Sequence, residues 1–401
     1  MRGARNRSER FVFARSESCP RGTEFEVSGK SLDAHRGCGT VEKVKAHQTG
    51  LIALHALALG ALLLQSGGCS SLRYYGQAVA GQYEILQLQE PIEKILARTN
   101  TSPTLRAKLQ LVQECCAFAG RVLQLKADGH YTRYADLGRR HVVWNVTAAP
   151  EFSFEPRQWW YPVVGRLEYR GFFSESAARH YAAQLARTGE DVYVGGVDAY
   201  STLGWFKDPV LNTFLQQEPF EPFDLADTLF HELAHQRVFA SGDTDFNEAF
   251  ATTVASEGVS RWLARRGDEK LRIKYETSLR REEQFVALVM KAREELKLVY
   301  GGEAPASTRH AGKAETVARL RARYEQLKAS WNGDPRYDAW FRQPLNNAQL
   351  NTVATYYHLV PAFQRLLANY SGDLGKFYSE SEGLAKLPKE KRQEQMRKLT
   401  R

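Results

Sequence analysis

The chain has 401 residues, of which 43% are hydrophobic and 25% charged. This is the composition of a folded globular protein, and it excludes a wholly disordered chain. The formal charge of +9 includes no compact basic run except the tail at residues 386–401. We interpret that tail as a solvated helix end, so nucleic-acid binding is not indicated. None of the five cysteines forms a C-x-x-C pair, which argues against a cysteine zinc site or redox motif.

An apolar run at residues 51–64 precedes two glycines and Cys69. It has the length of a signal-peptide core and is short for a membrane span. With the small residues before the cysteine, it resembles a bacterial lipoprotein signal, although Ser66 stands where that pattern prefers leucine. We therefore expect residues 49–68 to be a signal segment and Cys69 to carry a lipid. The alternatives are a buried helix or an uncleaved anchor.

The position of this segment affects the interpretation of the residues on both sides of it. Signal peptides begin at the N-terminus, so residues 1–48 are expected to be an extension outside the mature fold, with translation starting near Val41. A lipid on Cys69 would place the remaining chain in the bacterial cell envelope, facing the periplasm and tethered to a membrane surface. No second long apolar segment follows, so we do not expect the rest to span a membrane.

Helices and short strands are predicted in turn along the first half of the mature chain. Apolar residues recur every three or four positions through residues 72–140, which indicates two or three helices. Aromatic and β-branched residues with Pro and Gly breaks predict short strands and loops at 141–173. An amphipathic helix is expected at 174–189, followed by a strand or extended chain at 191–206.

The second half is predicted to be helical. Asp224 is a plausible N-cap for its first helix. The expected helical segments are residues 224–240, 246–266, 268–333 with a loop at 301–308, and 346–367. These patterns together predict a mainly α fold with a small mixed β-sheet, of the α+β class. We expect one folded domain at residues 69–385.

The stretch FHELAHQ, residues 230–236, contains the chemistry that most directly indicates function. His231 and His235 stand four apart, so a helix points both imidazoles at one ion. Glu232 is turned by one residue and is expected to act on a water molecule held by that ion. Zinc lowers the pKa of such a water towards about 7, which allows Glu232 to take its proton.

A third ligand is expected on the helix that follows. A catalytic zinc ion usually has three protein ligands and one position left for water. After a short loop, the next helix offers Glu248 within its first turns, and we predict Glu248 as the third ligand. Glu257 is the second candidate, but it lies more than two turns further along. The structural alternative is two ordinary packed histidines on a helix.

Several further stretches make a family resemblance specific. The chain resembles a bacterial family of zinc-dependent, lipoprotein-type aminopeptidases, from about Cys69 to about Leu367. The stretches that carry the resemblance are CSSLRYYGQAVAGQ, WWYPVVGRLEYRGFF, AYSTLGWFKDPV, FHELAHQ, NEAFAT and NNAQLNTVATYYHLVPAF. The resemblance implies a zincin-like, gluzincin-type arrangement in which His231, His235 and Glu248 bind Zn²⁺ and Glu232 is the base.

The sequence indicates less clearly which other side chains would assist peptide hydrolysis. Peptide hydrolysis requires a donor for the developing oxyanion, and Tyr356 and Tyr357 are candidates, with two core tyrosines as the alternative. Tyr200 has a weaker claim. An aminopeptidase must also bind a free α-ammonium, but the G-x-M-E-N stretch that other aminopeptidases with this zinc motif use is absent. Asp198 is a candidate for that role.

Two classes of function therefore remain open. The first is a membrane-tethered metallopeptidase, an aminopeptidase or an endopeptidase, with a peptide as substrate. The second is a non-enzymatic lipoprotein in which zinc only joins two helices. Glu232 favours the enzyme, because a structural site has no use for a base and prefers a fourth protein ligand.

Overall fold

The computed structural model describes residues 68–399, apart from positions 128, 162–164, 202–206 and 217–218, together with the strand Phe11–Val12. The expected extension, apart from that strand, and almost all of the expected signal segment lie outside the described residues. Cys69 is described through its backbone alone. The chain divides into two compact units, one of residues 17–84 and one of residues 1–16 with 85–401.

Helices dominate the described residues, as predicted. The helices are α1 (Gly68–Leu88), α2 (Ile92–Ala97), α3 (Pro103–Val122), α4 (Glu175–Ala186), α5 (Asn212–Leu215), α6 (Pro222–His235), α7 (Thr244–Arg266), α8 (Glu269–Tyr300), α9 (Ala306–Ser330), α10 (Asp338–Phe341), α11 (Asn347–Tyr357), α12 (Val360–Asn369), α13 (Leu374–Ala385) and α14 (Lys389–Leu399). The α+β class is thus confirmed.

The strands are short and form four small sheets within the described part, where the sequence predicted one. The strands are β1 (Phe11–Val12), β2 (Glu90–Pro91), β3 (Arg133–Ala135), β4 (Val143–Pro150), β5 (Trp159–Tyr161), β6 (Gly165–Leu167), β7 (Arg170–Phe172), β8 (Glu190–Val197), β9 (Tyr200–Ser201) and β10 (Val210–Leu211). β4 lies between β7 and β8 and is antiparallel to both. The sheet β10–β3–β2 is mixed.

An aromatic core joins α8, α9, α10 and α11. Phe285 stacks on Tyr337 and Tyr324 stacks on Phe341, each with ring centroids 3.9 Å apart. Such stacked pairs stabilise a core by about 0.5–1.5 kcal/mol beyond their buried area. This core fixes α8 and α11, which form two walls of the cavity described below.

The helix that carries FHELAHQ begins and ends earlier than predicted. α6 starts at Pro222, whose missing N–H is not needed at the first helical position. The N-cap is Glu221, without a side-chain hydrogen bond, so the prediction that Asp224 caps the helix is wrong; Asp224 lies in its first turn. α6 ends at His235, and residues 236–243 connect it to α7.

The predicted helix at residues 346–367 is in fact two helices. α11 ends at Tyr357 and α12 begins at Val360. Pro361 explains the break, because its ring would clash with the carbonyl four residues earlier in a continuous helix. The break leaves Tyr356 and Tyr357 in the last turn of α11.

The C-terminal tail contributes to the fold and is not only a solvated helix end. It forms α14, in which Arg392 and Met396 are buried. The Arg392 guanidinium donates to Asp243 at 2.9 Å, and both side chains are almost completely buried. It also donates to the carbonyl oxygens of Ala385 and Leu387. The tail is therefore fastened to the connection between α6 and α7.

None of the helices in the described residues combines the length and the apolar composition that a membrane crossing requires.

Replacing Arg392 with Met should destabilise the fold strongly. The change leaves the Asp243 carboxylate buried without its guanidinium, and breaking a buried ion pair in this way costs about 3–5 kcal/mol. Urea unfolding of the two proteins measures the difference. Lys391→Met, at the exposed neighbouring position, is the matched control and should change stability little. Adding Asp243→Asn to Arg392→Met should recover part of the loss; equal stability of Arg392→Met and wild type would contradict the prediction.

Candidate metal centre and adjoining cavity

Two imidazoles meet on one face of α6. His231 and His235 are four residues apart, so the helix brings their side chains together. Their ring centroids are 4.8 Å apart, and both residues are buried. The two Nε2 atoms are separated by 3.1 Å. Ring nitrogens at this distance either share a proton or direct their lone pairs at a common point.

Glu248 on α7 completes a triangle with the two imidazoles. Its Oε2 lies 3.2 Å from His231 Nε2 and 3.7 Å from His235 Nε2. Ligand atoms of one tetrahedral ion with bonds of about 2.0–2.1 Å are about 3.3 Å apart. The three measured edges bracket this value, so the donor set fits one divalent cation of the size of Zn²⁺. Among the described residues, these three side chains form a group that could hold a metal ion.

The charges of the triangle favour a cation. Burial would raise the pKa of the Glu248 carboxyl, but the charge of His235 and hydrogen bonds from His231 and His235 lower it to about 2. Burial would lower the pKa of His235, but Glu248 and the charge of Glu232 raise it. A buried carboxylate that must stay ionised needs a positive partner. That partner is a proton on the imidazoles or a metal ion.

The connection between α6 and α7 is built to place Glu248. Asn247, one residue earlier, holds the connection with two reciprocal bonds: its Oδ1 accepts from Ala240 N at 2.7 Å, and its Nδ2 donates to Ala240 O at 2.9 Å. Asp243 caps α7 through Phe246 N. Asn247 thus orients the first turn of α7 and does not itself enter the triangle.

Glu232 lies next to the triangle and is completely buried. Its charge acts on His235 and on Tyr131. Tyr131 was not identified by sequence reasoning. Its backbone has φ of +57°, an uncommon conformation for a residue with a side chain. Burial and the charge of Glu232 raise the pKa of its hydroxyl, which has no hydrogen-bond partner in the described part of the chain. Nothing in the sequence GHYTRY, residues 129–134, indicates that Tyr131 lies near Glu232.

An open cavity of about 590 Å³ adjoins the triangle, with His231 in its wall. This volume lies within the range of about 300–1,000 Å³ that is typical of ligand pockets. Its other walls come from α7, α8, α11 and α12. The triangle is therefore connected to a space large enough for a small organic ligand.

Both predicted tyrosines line this cavity, but they differ in their contacts. Tyr356 is buried, and its ring centroid lies 6.4 Å from that of His231. Tyr357 donates its hydroxyl to Glu282 on α8 at 2.7 Å. The geometry therefore places Tyr356 beside the triangle and directs Tyr357 towards the opposite wall.

The remaining sequence candidates lie elsewhere. Asp198 pairs with His141 at 2.7 Å, and neither residue lines the cavity. The side chain of Tyr200 lies outside the described residues. Glu257, the second candidate for the third ligand, lines the cavity but pairs with Arg261 at 2.7 Å and is not part of the triangle.

The family of the chain follows from a comparison with known proteins. A family profile with the description "Putative aminopeptidase" matches residues 73–396. The chain belongs to this family. No curated protein and no solved structure gives a significant match.

Membership in this family confirms the aminopeptidase part of the predicted resemblance and indicates a peptidase. The aminopeptidase profile spans the whole triangle, Glu232 and the cavity. It also continues beyond Leu367, where the resemblance in the sequence ended, and includes Arg392. The C-terminal helix α14 is therefore largely inside the region that the aminopeptidase family shares.

Zn²⁺ uptake by the triangle should strengthen as the pH rises from about 6 to about 8. An imidazole binds a cation in its neutral form, and the pKa of His235 in the metal-free protein is raised from 6.5. Protons therefore compete with the ion below the raised pKa, whereas Glu248 stays ionised throughout. Calorimetric titration with Zn²⁺ in buffers of different protonation enthalpy measures affinity and proton release together.

The folding stability of the metal-free protein should change with pH in the opposite direction to the Zn²⁺ affinity. A raised folded-state pKa stabilises the fold below the unfolded pKa, and this contribution is lost as the pH rises through the raised value. His310→Gln, at an exposed position paired with Glu151, is the control and should keep both dependences. A Zn²⁺ affinity that stays constant over this pH range would count against the triangle as the site of uptake.

Proposed function

We propose that the chain is a zinc-dependent peptidase that acts as an aminopeptidase. The observation that carries this proposal is the triangle of His231, His235 and Glu248, with Glu232 next to it and an open cavity at His231. Family membership supports the peptidase part independently. A zincin-like catalytic arrangement of the gluzincin type belongs to the same proposal.

The donor set leaves room for solvent and substrate. A zinc ion bound there would polarise a peptide carbonyl and lower the pKa of a water molecule. His231, His235 and Glu248 would hold the ion with three donors. Glu232 would accept the proton of the attacking water on its carboxylate and deliver it to the leaving amine.

Tyr356 is the better placed of the two tyrosines to act on the developing oxyanion. It lines the cavity beside His231, whereas the hydroxyl of Tyr357 is engaged with Glu282. We therefore propose Tyr356 as an oxyanion donor and Tyr357 as a residue that positions Glu282. An oxyanion donor of this kind typically contributes about a hundredfold to a thousandfold in rate.

A structural zinc site in a non-enzymatic protein is the second candidate function. Closed structural sites have four protein ligands, but the group found among the described residues has three. The buried Glu232 and the adjoining cavity also have no purpose in a structural site. These observations favour the enzyme, and an endopeptidase remains the alternative within that class.

We also propose that the chain is lipid-anchored at Cys69 in a bacterial cell envelope and faces the periplasm. The support is the apolar run at residues 51–64 and the two glycines before the cysteine. The family match begins at residue 73, directly after this segment. The substrate would then be a peptide in that compartment, and no nucleic acid is expected as a partner.

Glu232→Gln should abolish most peptide cleavage without removing the metal. The amide cannot accept the proton from water, so kcat should fall by about 10²–10⁴. Cleavage of amino-acid amides by the zinc-loaded protein is compared with zinc content measured by atomic absorption. The matched control is Glu325→Gln at an exposed position of α9, which should change neither quantity.

Two outcomes would distinguish the peptidase from a protein with a structural zinc site. Normal zinc content together with wild-type cleavage in Glu232→Gln would show that Glu232 is not the base. Normal zinc content with no cleavage of any peptide by the unmutated protein would favour the structural site.

A further inference from the structure

A row of polar side chains runs along α7 from the triangle into the cavity. Its members Glu248, Thr252, Ser256 and Ser260 follow one another at four-residue spacing. Side chains at this spacing lie on one face of a helix, and each step advances about 6 Å along the helix axis. The last three residues of the row line the cavity. Because helical side chains lean towards the N-terminus, the hydroxyls of the row are tilted back towards Glu248.

The hydroxyls on this wall already use their protons. A hydroxyl has one proton to donate and two lone pairs that accept. Ser256 Oγ donates to the carbonyl oxygen of Thr252 at 3.0 Å, and Ser260 Oγ donates to that of Ser256 at 2.9 Å. Thr253, which also lines the cavity, donates to the carbonyl oxygen of Ala249 at 2.8 Å. These side chains can therefore offer a ligand only acceptors.

Glu283 adds a negative charge to the same cavity. It lies on α8, its side chain is exposed, and it makes none of the ion pairs found in the described part of the chain. Glu257 differs from it, because Arg261 pairs with that carboxylate at 2.7 Å. None of the described residues that line the cavity is Lys or Arg. A cleft with one sign of charge concentrates ligands of the other sign.

The rest of the lining is largely apolar and comes from α8 and α12. The apolar residues are Leu279, Val286, Ala287, Val360, Pro361 and Leu367. A ligand group that is apolar throughout would cover the hydroxyl acceptors without replacing their water, which is unfavourable. A long apolar stem that ends in charged N–H donors satisfies both kinds of wall. The side chains of Arg and Lys have this form.

Other occupants of this wall fit less well. Three ligand atoms of one metal ion must lie close together, as they do in the triangle. In the part of the chain that the structure describes, the acidic residues of the cavity do not form such a group of three. An acidic ligand would be repelled by Glu283 and would find no proton to accept from Ser256 or Ser260.

We propose that the cavity holds the side chain on the amino side of the cleaved bond and selects Arg or Lys at that position. Ser256 and Ser260 accept hydrogen bonds from the cationic end, Glu283 balances its charge, and the apolar wall packs against the stem. The inference rests on the proposed peptidase function and deepens it, because it specifies the side chain that the enzyme prefers.

The test compares three substrates that differ only in this side chain. The 4-nitroanilides of arginine, citrulline and norleucine are given to the zinc-loaded full chain, to Ser256→Ala and to Glu283→Gln. Citrulline keeps N–H donors but carries no charge, and norleucine keeps only an apolar stem. Zinc content is measured in each protein, so that a loss of the metal is recognised.

Two variants on α9 serve as matched controls. Ser330→Ala removes an exposed hydroxyl that also donates to a helix carbonyl, that of Leu327, at 2.6 Å. Glu325→Gln removes an exposed carboxylate. Neither residue is among those that line the cavity, so both variants should keep the wild-type substrate ratios.

The expected result is a preference that depends on this wall. Wild type should prefer arginine over norleucine by about 10- to 100-fold in kcat/KM, because hydrogen bonds from a charged donor are the strong ones. Citrulline should lie between them. Ser256→Ala should lower the ratio of arginine to norleucine by about tenfold. Glu283→Gln should lower the ratio of arginine to citrulline by about two- to fivefold, because an exposed charge pair is screened by solvent.

A binding measurement makes the test independent of turnover. Argininamide and norleucinamide are titrated into zinc-loaded Glu232→Gln, with and without Ser256→Ala. Preferential binding of argininamide that Ser256→Ala weakens supports the inference even where cleavage is slow.

Each failure has its own signature. Equal cleavage and equal binding of the arginine and norleucine compounds would overturn the inference and leave the peptidase standing. A preference for arginine that both Ser256→Ala and Glu283→Gln retain in full would also overturn it, because other residues would then select the side chain. Cleavage of none of the substrates, with argininamide still bound in preference, would overturn the proposed function alone. Loss of cleavage and of preferential binding would overturn both.

Discussion

The structure depends on placing two imidazoles and two carboxylates in one buried space between α6 and α7. Taking such groups out of water is unfavourable unless opposite charges compensate. Glu248 and His235 compensate each other in part, since the pKa of Glu248 is lowered and that of His235 is raised. Glu232 lies beside this group, and its charge also raises the pKa of His235. The edges of the triangle bracket the separation expected between ligand atoms of one divalent cation, so these three side chains could hold a metal ion.

The surrounding fold holds this costly arrangement in place from several directions. Asn247 and Asp243 fix the connection ahead of Glu248, and Arg392 secures Asp243 from the far end of the chain. The aromatic core between α8 and α10 sets the opposite wall of the cavity. Rigid elements on both sides are what a site needs when its groups must be held within a fraction of an ångström. α8 and α11 line the open volume next to His231.

The sequence predicted the helical segments and the triangle because local signals determine them. A four-residue spacing puts His231 and His235 on one helix face in any fold, and a short connection returns α7 against α6. Residues 346–367 were predicted as one helix, although Pro361 is a local signal that favours a break there. Contacts between distant segments left no comparable signal. The cavity combines walls from α6, α7, α8, α11 and α12. The charge of Glu232 acts on Tyr131, which lies in a chain reversal with positive φ. The pairing of Arg392 with Asp243 spans 149 positions.

That last pairing has a consequence for how the protein matures. Arg392 lies 149 positions after Asp243, yet it holds the connection that orients Glu248. Helices near the start can fold while synthesis continues, since local contacts form early. The contact between Arg392 and Asp243 can form only after α14 has been made and has docked. A chain that lacks α14 would hold its histidines without a firmly placed carboxylate, and we expect such a fragment to bind a metal ion at the triangle less well.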